Sequence, residues 1–131
     1  MVIRTAQDVT VYDSGMAWRG GGNAAQQVII PFLASRGIDS ISRLVISHAD
    51  LDHSGGTTEL LEQVAVGDVI AGEPLNRVRA SRCARGQGWR SGEIGFDFLH
   101  PDRGTRAEGN NASCVLRVSA GRHIMLLTGD I

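Results

Sequence analysis

At 131 residues, with 42% hydrophobic and 21% charged side chains, the chain has material for one hydrophobic core and too little for two domains. A net charge of −1 excludes a protein that coats nucleic acid by bulk electrostatics. Its short apolar runs exclude a membrane-crossing helix, which needs ~20 such residues, and Met1-Val2-Ile3-Arg4 does not have the order of a secretory signal.

In chain order, Val2 to Thr5 and Val9 to Tyr12 read as two short strands joined around Ala6-Gln7-Asp8. Asp13-Ser14-Gly15 ends the second, and the glycine-rich residues 15 to 23 read as a mobile loop. A helix follows with Val28, Ile29, Phe32 and Leu33 on one face. Pro31 is tolerated only in a first turn, which places the helix start near Val28, and Gly37 sits where a left-handed C-cap belongs. Ile41 to Ser47 is apolar and β-branched and reads as a strand. A polar loop and a helix over about Gly55 to Gln63 come next, with Leu60, Leu61 and Val64 facing inward, and then a strand over Val66 to Ala71.

An irregular arginine-rich segment comes after that strand. All 13 basic residues of the chain are Arg, and Arg77, Arg79, Arg82, Arg85 and Arg90 lie close together beside Trp89. Two readings stay open: a solvated connection, or a DNA-facing patch in which Arg forks engage phosphate and Trp89 stacks on a base. Ile94, Phe96 and Phe98 alternate with Gly95 and Asp97, a half-buried strand stopped by His100-Pro101. Cys114 to Ser119 and Arg122 to Leu127 form a hairpin, and Thr128-Gly129-Asp130 leaves its last strand. Asn110 to Ser113 reads as a turn entering a strand, with side-chain hydrogen bonds near the rim of the sheet as the alternative. Cys83 and Cys114 match no Cys-x-x-Cys spacing and leave pairing open.

The richest stretch is His48-Ala49-Asp50-Leu51-Asp52-His53-Ser54-Gly55-Gly56, with four potential metal ligands in six residues directly after a strand. The alternation aims two pairs of ligands, His48 with Asp50 and Asp52 with His53, at two neighbouring positions. Two divalent cations there suit hydrolysis of a phosphodiester, because they can clamp both the attacking and the leaving oxygen. Asp130, also at a strand end, is a further candidate ligand if the two loops meet at one sheet rim. The carboxylate-rich set lets manganese or magnesium compete with zinc. His100 and His123 carry little signal as ligands.

These residues resemble the metallo-β-lactamase fold and, more narrowly, the C-terminal domain of the ComEC family of DNA-internalization competence proteins. The resemblance rests on Asp13-Ser14-Gly15 after a strand, on VIIPFLASRGI over Val28 to Ile38, and on the form HxDxDHxGG over His48 to Gly56. It rests further on CARGQGWRSGEIGFDFLHP over Cys83 to Pro101 and on NNASCVLRVSAGRHIMLLTGDI over Asn110 to Ile131. At the position of Asp50 the wider superfamily carries His, whereas the ComEC group carries Asp, as this chain does.

The resemblance implies an α/β fold, the αββα sandwich, with residues 1–131 forming its first half. It implies two metal ions, zinc or manganese: His48 and Asp50 would hold one, Asp52 and His53 the second, and Asp130 would bridge them. Asp52 would also orient or deprotonate the attacking water. The partners implied are single-stranded DNA and a membrane channel formed by the rest of the same protein, with this segment soluble and making no lipid contact of its own. The expected function is a nuclease of DNA uptake in an inner-membrane protein, degrading the strand that is not transported. As a half domain, the isolated segment is expected to be weakly active or inactive. Two other functions compete: a hydrolase of a small ester, thioester or lactam, and a non-catalytic module that guides DNA.

Overall fold

The computed structural model describes residues 1–131. Strand β1 (Val2–Arg4) and strand β2 (Val9–Tyr12) form an antiparallel pair, closed at its turn by the Thr5 hydroxyl, which accepts from the Asp8 amide at 2.9 Å. Strand β3 (Ser40–Ile46) runs parallel to β2, and β4 (Ala65–Ala71) runs parallel to β3. The two-residue β5 (Ser81–Arg82) completes a five-stranded sheet in the order β1-β2-β3-β4-β5. A second, antiparallel sheet holds β6 (Gly88–Ser91), β7 (Ile94–His100), β8 (Val115–Ala120) and β9 (His123–Leu127) in sequence order.

The pleat of the first sheet divides its side chains between two cores. Val11, Leu44 and Ile46 point to one face, where Ala25, Leu33, Ile38, Leu60 and Val64 meet them. Tyr12 and Val45 point to the other, where Phe96, Phe98, Leu116, Val118 and Leu127 of the second sheet close on them. The layers are therefore helix, sheet, sheet, the first three of the αββα order. On the far face of the second sheet, Ile124 and Leu126 are exposed. No helix is long and apolar enough to cross a membrane.

Two readings of local structure need correction. The helix begins at Ala25, not near Val28: a wide π-helical turn (Ala25–Ile29) runs into α1 (Ile30–Ser35). Pro31 lies within the first two positions of α1, where its missing N–H costs nothing, and the π turn ahead of it lets the chain start helical earlier. The wider turn also rotates the face. Ala25 and Leu33 are buried, whereas Val28 and Phe32 point to solvent. Second, the arginine-rich segment contains β5 and β6. Ser91 is buried and Trp89 half-buried, but the intervening Gly88 and Arg90 obscure the period of two.

Cys83 and Cys114 are joined by a disulfide across 31 residues. It lies in the core between the sheets and ties the chain just after β5 to the chain just before β8. Nearby, the Tyr12 hydroxyl donates to the Cys114 carbonyl at 2.7 Å and approaches that of Leu127 at 3.3 Å. Burial pushes the Tyr12 phenol well above its usual range, so it remains a donor.

Candidate metal centre

Strands β2 and β3 are parallel neighbours, with Tyr12 opposite Val45, so the residues that follow them emerge on the same rim. Asp13 leaves β2 in a left-handed conformation (φ 60°), which short polar side chains tolerate better than most. Its carboxylate turns toward the neighbouring loop, where Oδ1 accepts from the Ser47 amide at 2.7 Å and Oδ2 from the Ser47 hydroxyl at 3.0 Å. Oδ2 also faces Nδ1 of His53 at 2.8 Å.

That network sets both histidines. The single Ser47 hydroxyl proton goes to Asp13, so toward His48 Nδ1, 3.0 Å away, the hydroxyl oxygen acts as acceptor. Both imidazoles thus carry their proton on Nδ1 and present a bare Nε2 to the same space. Their ring centroids lie 4.3 Å apart.

One turn of helix, α2 (Leu51–Ser54), starts directly after Asp50 and carries Asp52 and His53. The Gly55-Gly56 pair joins it to α3 (Thr57–Gln63), and the reason for glycine there is close approach. A Cβ on Gly55 would stand 2.4 Å from the Ala17 nitrogen, and one on Gly56 would stand 2.6 Å from the Ser14 carbonyl oxygen. From the second sheet, Asp130 arrives just after β9. Its amide donates to the Ser113 hydroxyl at 3.3 Å, and its carboxylate lies 3.2 Å from His53 Nε2. Gly129 makes this possible: it is left-handed (φ +57°), and a Cβ there would strike the Ser113 hydroxyl at 2.7 Å.

Ligand atoms of His48, His53 and Asp130 all fall within 4.8 Å of one another. Asp50 Oδ2 stands 3.4 Å from His48 Nε2, and Asp52 Oδ2 stands 3.6 Å from His53 Nε2. All five residues expected at the centre therefore meet on one rim. The surroundings fit a cation. His48 Nε2 is buried without a hydrogen-bond partner, which costs free energy unless something electropositive sits there. Asp13, Asp50, Asp52 and Asp130 converge on two imidazoles, and none of the chain's three Arg–Asp pairs involves them. Burial disfavours a charged His53, but the Asp13 hydrogen bond and the Asp13, Asp130 and Asp52 charges outweigh it and raise its pKa.

Two further residues shape the rim. Asp13 sits within an Asp-Ser-Gly that reads locally as a turn, and its position beside the strand before His48 is the signal that singles it out. Glu73 accepts from the Ala49 amide at 2.9 Å and from the Gly109 amide at 3.3 Å, so it ties the loop between His48 and Asp50 to the 3-10 turn Gly109–Ala112. Nothing in the sequence around Glu73 marks that role. Of the weaker candidates, His100 binds the Ser113 carbonyl through Nδ1 and His123 is exposed on β9.

The arginine-rich patch is spread out. Arg82 donates to the Gly72 carbonyl at 3.0 Å, Arg85 pairs with Asp102, and Arg90 donates to the Glu93 carbonyl. Arg77 and Arg79 are exposed on the connection after β4. Trp89 stacks on Phe96 at 4.7 Å, lies beneath the Arg43 guanidinium, and shares a groove of about 280 Å³ with Arg82.

The sequence profile described as "Metallo-beta-lactamase superfamily" matches residues 1–131. The chain is 36% identical over 131 residues to Competence protein ComA of Neisseria gonorrhoeae, covering 100% of this chain and 18% of that protein. It is 32% identical over 132 residues to Recombination protein 2 of Haemophilus influenzae, covering 99% of this chain and 16% of that one. The chain thus spans less than a fifth of the length of these relatives. Among solved structures, a metallo-β-lactamase from Cronobacter sakazakii superposes with a TM-score of 0.68 at 18% identity, covering 95% of this chain and 50% of that one. At that identity the likeness shows the fold alone.

Proposed function

The chain belongs to the metallo-β-lactamase superfamily, and from that premise we propose that it is a metal-dependent phosphodiester hydrolase module of a DNA-uptake protein, acting as a nuclease on single-stranded DNA. The observation that carries the reading is the buried, unpartnered Nε2 of His48 opening into a cluster of carboxylates at the meeting of two strand ends. Support for DNA comes from matches that span this chain, though less than a fifth of each relative, to proteins named for competence and recombination.

His48, Asp50, Asp52, His53 and Asp130 would hold two divalent cations, zinc or manganese. Bound cations would neutralise the phosphate and polarise its P–O bonds. The chain itself supplies the rest. Asp13 and Ser47 fix both imidazoles with Nε2 toward the rim, so little reorganisation is needed when a substrate arrives. Asp52 is exposed beside His53 and is the carboxylate that would align water and take its proton. Arg82, held by the Gly72 carbonyl, with Arg77, Arg79, Arg85 and Arg90 would contact the phosphates of a longer strand. In the whole protein, the strand degraded would be the one not transported, beside a membrane channel formed by other parts of that chain.

Because a half domain is expected to have little activity alone, the test is hydrolysis of single-stranded DNA by the domain completed at both ends, with manganese or zinc, beside Asp52→Ala. Metal-dependent cleavage that falls at least a hundredfold in the variant, at the scale of general-base loss (roughly 10²–10⁴), is the expected result. A completed domain that is folded and metal-loaded and leaves DNA intact would remove the nuclease reading.

A further inference from the structure

Next to the metal-binding rim, two segments present large apolar side chains to solvent side by side. Met16 (46% exposed) and Trp18 (40%) belong to the loop after β2, and Leu51 (68%) is the first residue of α2, between Asp50 and Asp52. The two are joined by a hydrogen bond from the Ala17 amide to the Leu51 carbonyl at 3.3 Å, and Gly55 packs directly against Ala17. Exposing such side chains costs free energy that a monomeric surface gains nothing from, and adjacent ones mark a contact site.

The loop itself is built. Ala17 bridges to Asn23, the Trp18 amide donates to Gly22, the Gly21 amide donates back to Trp18, and the Ala24 amide donates to Met16. Left-handed Gly21 and Gly22 close the turn. The result is a small hairpin with Trp18-Arg19 at its tip, and Arg19 is the sole basic residue between Arg4 and Arg36.

We propose that Trp18, flanked by Arg19, Met16 and Leu51, is a stacking platform for an unpaired base of single-stranded DNA whose backbone enters the metal-binding rim. The proposal rests on the hydrolase reading above and names how that site takes its substrate. An aromatic face accepts any base, so the platform holds a strand without reading its sequence. The Arg19 guanidinium supplies the charge for a neighbouring phosphate, the complement that a rim of carboxylates lacks. A duplex, with its bases already stacked on one another, offers no free face to Trp18. The other tryptophan, Trp89, is half-buried against Phe96 and suits a base poorly.

The experiment is fluorescence anisotropy of a labelled phosphorothioate oligothymidylate, with manganese present, on the wild-type chain and on Trp18→Ala and Trp18→Phe. Loss of one base–aromatic stack should weaken binding about tenfold. Phe should restore most of it, and duplex of the same length should bind wild type and Trp18→Ala alike. Quenching of tryptophan emission by the oligonucleotide should vanish in Trp18→Ala although Trp89 remains. Wild-type protein that binds or cleaves single-stranded DNA while Trp18→Ala matches it would overturn the platform and leave the hydrolase reading intact. Preference of the wild type for vesicles of anionic phospholipid, lost in Trp18→Ala, would also overturn it. If the folded, metal-loaded wild type does not bind single-stranded DNA, the platform fails, whereas the hydrolase reading falls only if the completed domain leaves DNA uncut.

Discussion

The two cores of the molecule are held in different ways. The one between helices and first sheet is aliphatic: Val11, Leu33, Ile41, Leu44, Ile46 and Leu60 pack with no polar atom among their side chains. The one between the sheets is aromatic and cross-linked, with Phe96, Phe98 and Trp89, the Cys83–Cys114 disulfide and the Tyr12 hydroxyl reaching across to the Cys114 carbonyl. The first core fixes the strands that deliver Asp13, Ser47, His48 and His53, which then orient one another. The second fixes where Asp130 arrives. A site shared between two layers is as accurate as the joint between them, and here that joint carries a covalent bond and a buried hydrogen bond.

If packing alone holds the first core, Leu44→Ala should produce the largest loss, about 4 kcal/mol for a fully buried leucine, seen as a drop in the urea midpoint. A loss below about 1 kcal/mol would mean that the helix layer is loosely packed and not the platform described here. The second core is sharpened by Cys83→Ser together with Cys114→Ser. Closing a loop of 31 residues predicts a loss of about 3.7 kcal/mol. Dithiothreitol should destabilise the wild type by a similar amount and leave the double variant unchanged, whereas equal sensitivity of both would deny the disulfide its part. Tyr12→Phe should have the smallest effect, about 1 kcal/mol, because it removes one hydroxyl from buried carbonyls and preserves the ring. A neutral result would show that the sheets are positioned without it.

Much of this was legible in the order of residues. His48 to Gly56 stands out because imidazoles and carboxylates rarely crowd a loop after an apolar strand, and Asp130 follows from its place at another strand end. The family likewise rests on segments that span nearly the whole chain. What could not be read depended on contacts between distant segments. Asp13 and Glu73 look like turn residues until the rim places them against Ser47 and Ala49. The helix start was hidden because Pro31 argues against early helix and a π turn is not foreseeable from propensity. Strand β6 was hidden by its glycine and arginine, and the disulfide needed a fold to bring residues 83 and 114 together.

The most direct test of a centre built by both layers is calorimetric titration of manganese and of zinc into the wild type, Asp130→Asn and Asp13→Asn. The wild type should bind. Asp13→Asn should weaken binding by about 10–100-fold, as loss of a carboxylate behind a histidine ligand does, and Asp130→Asn by at least as much. Folded wild-type protein without metal affinity, or an Asp130→Asn variant that binds as tightly as the wild type, would contradict the account.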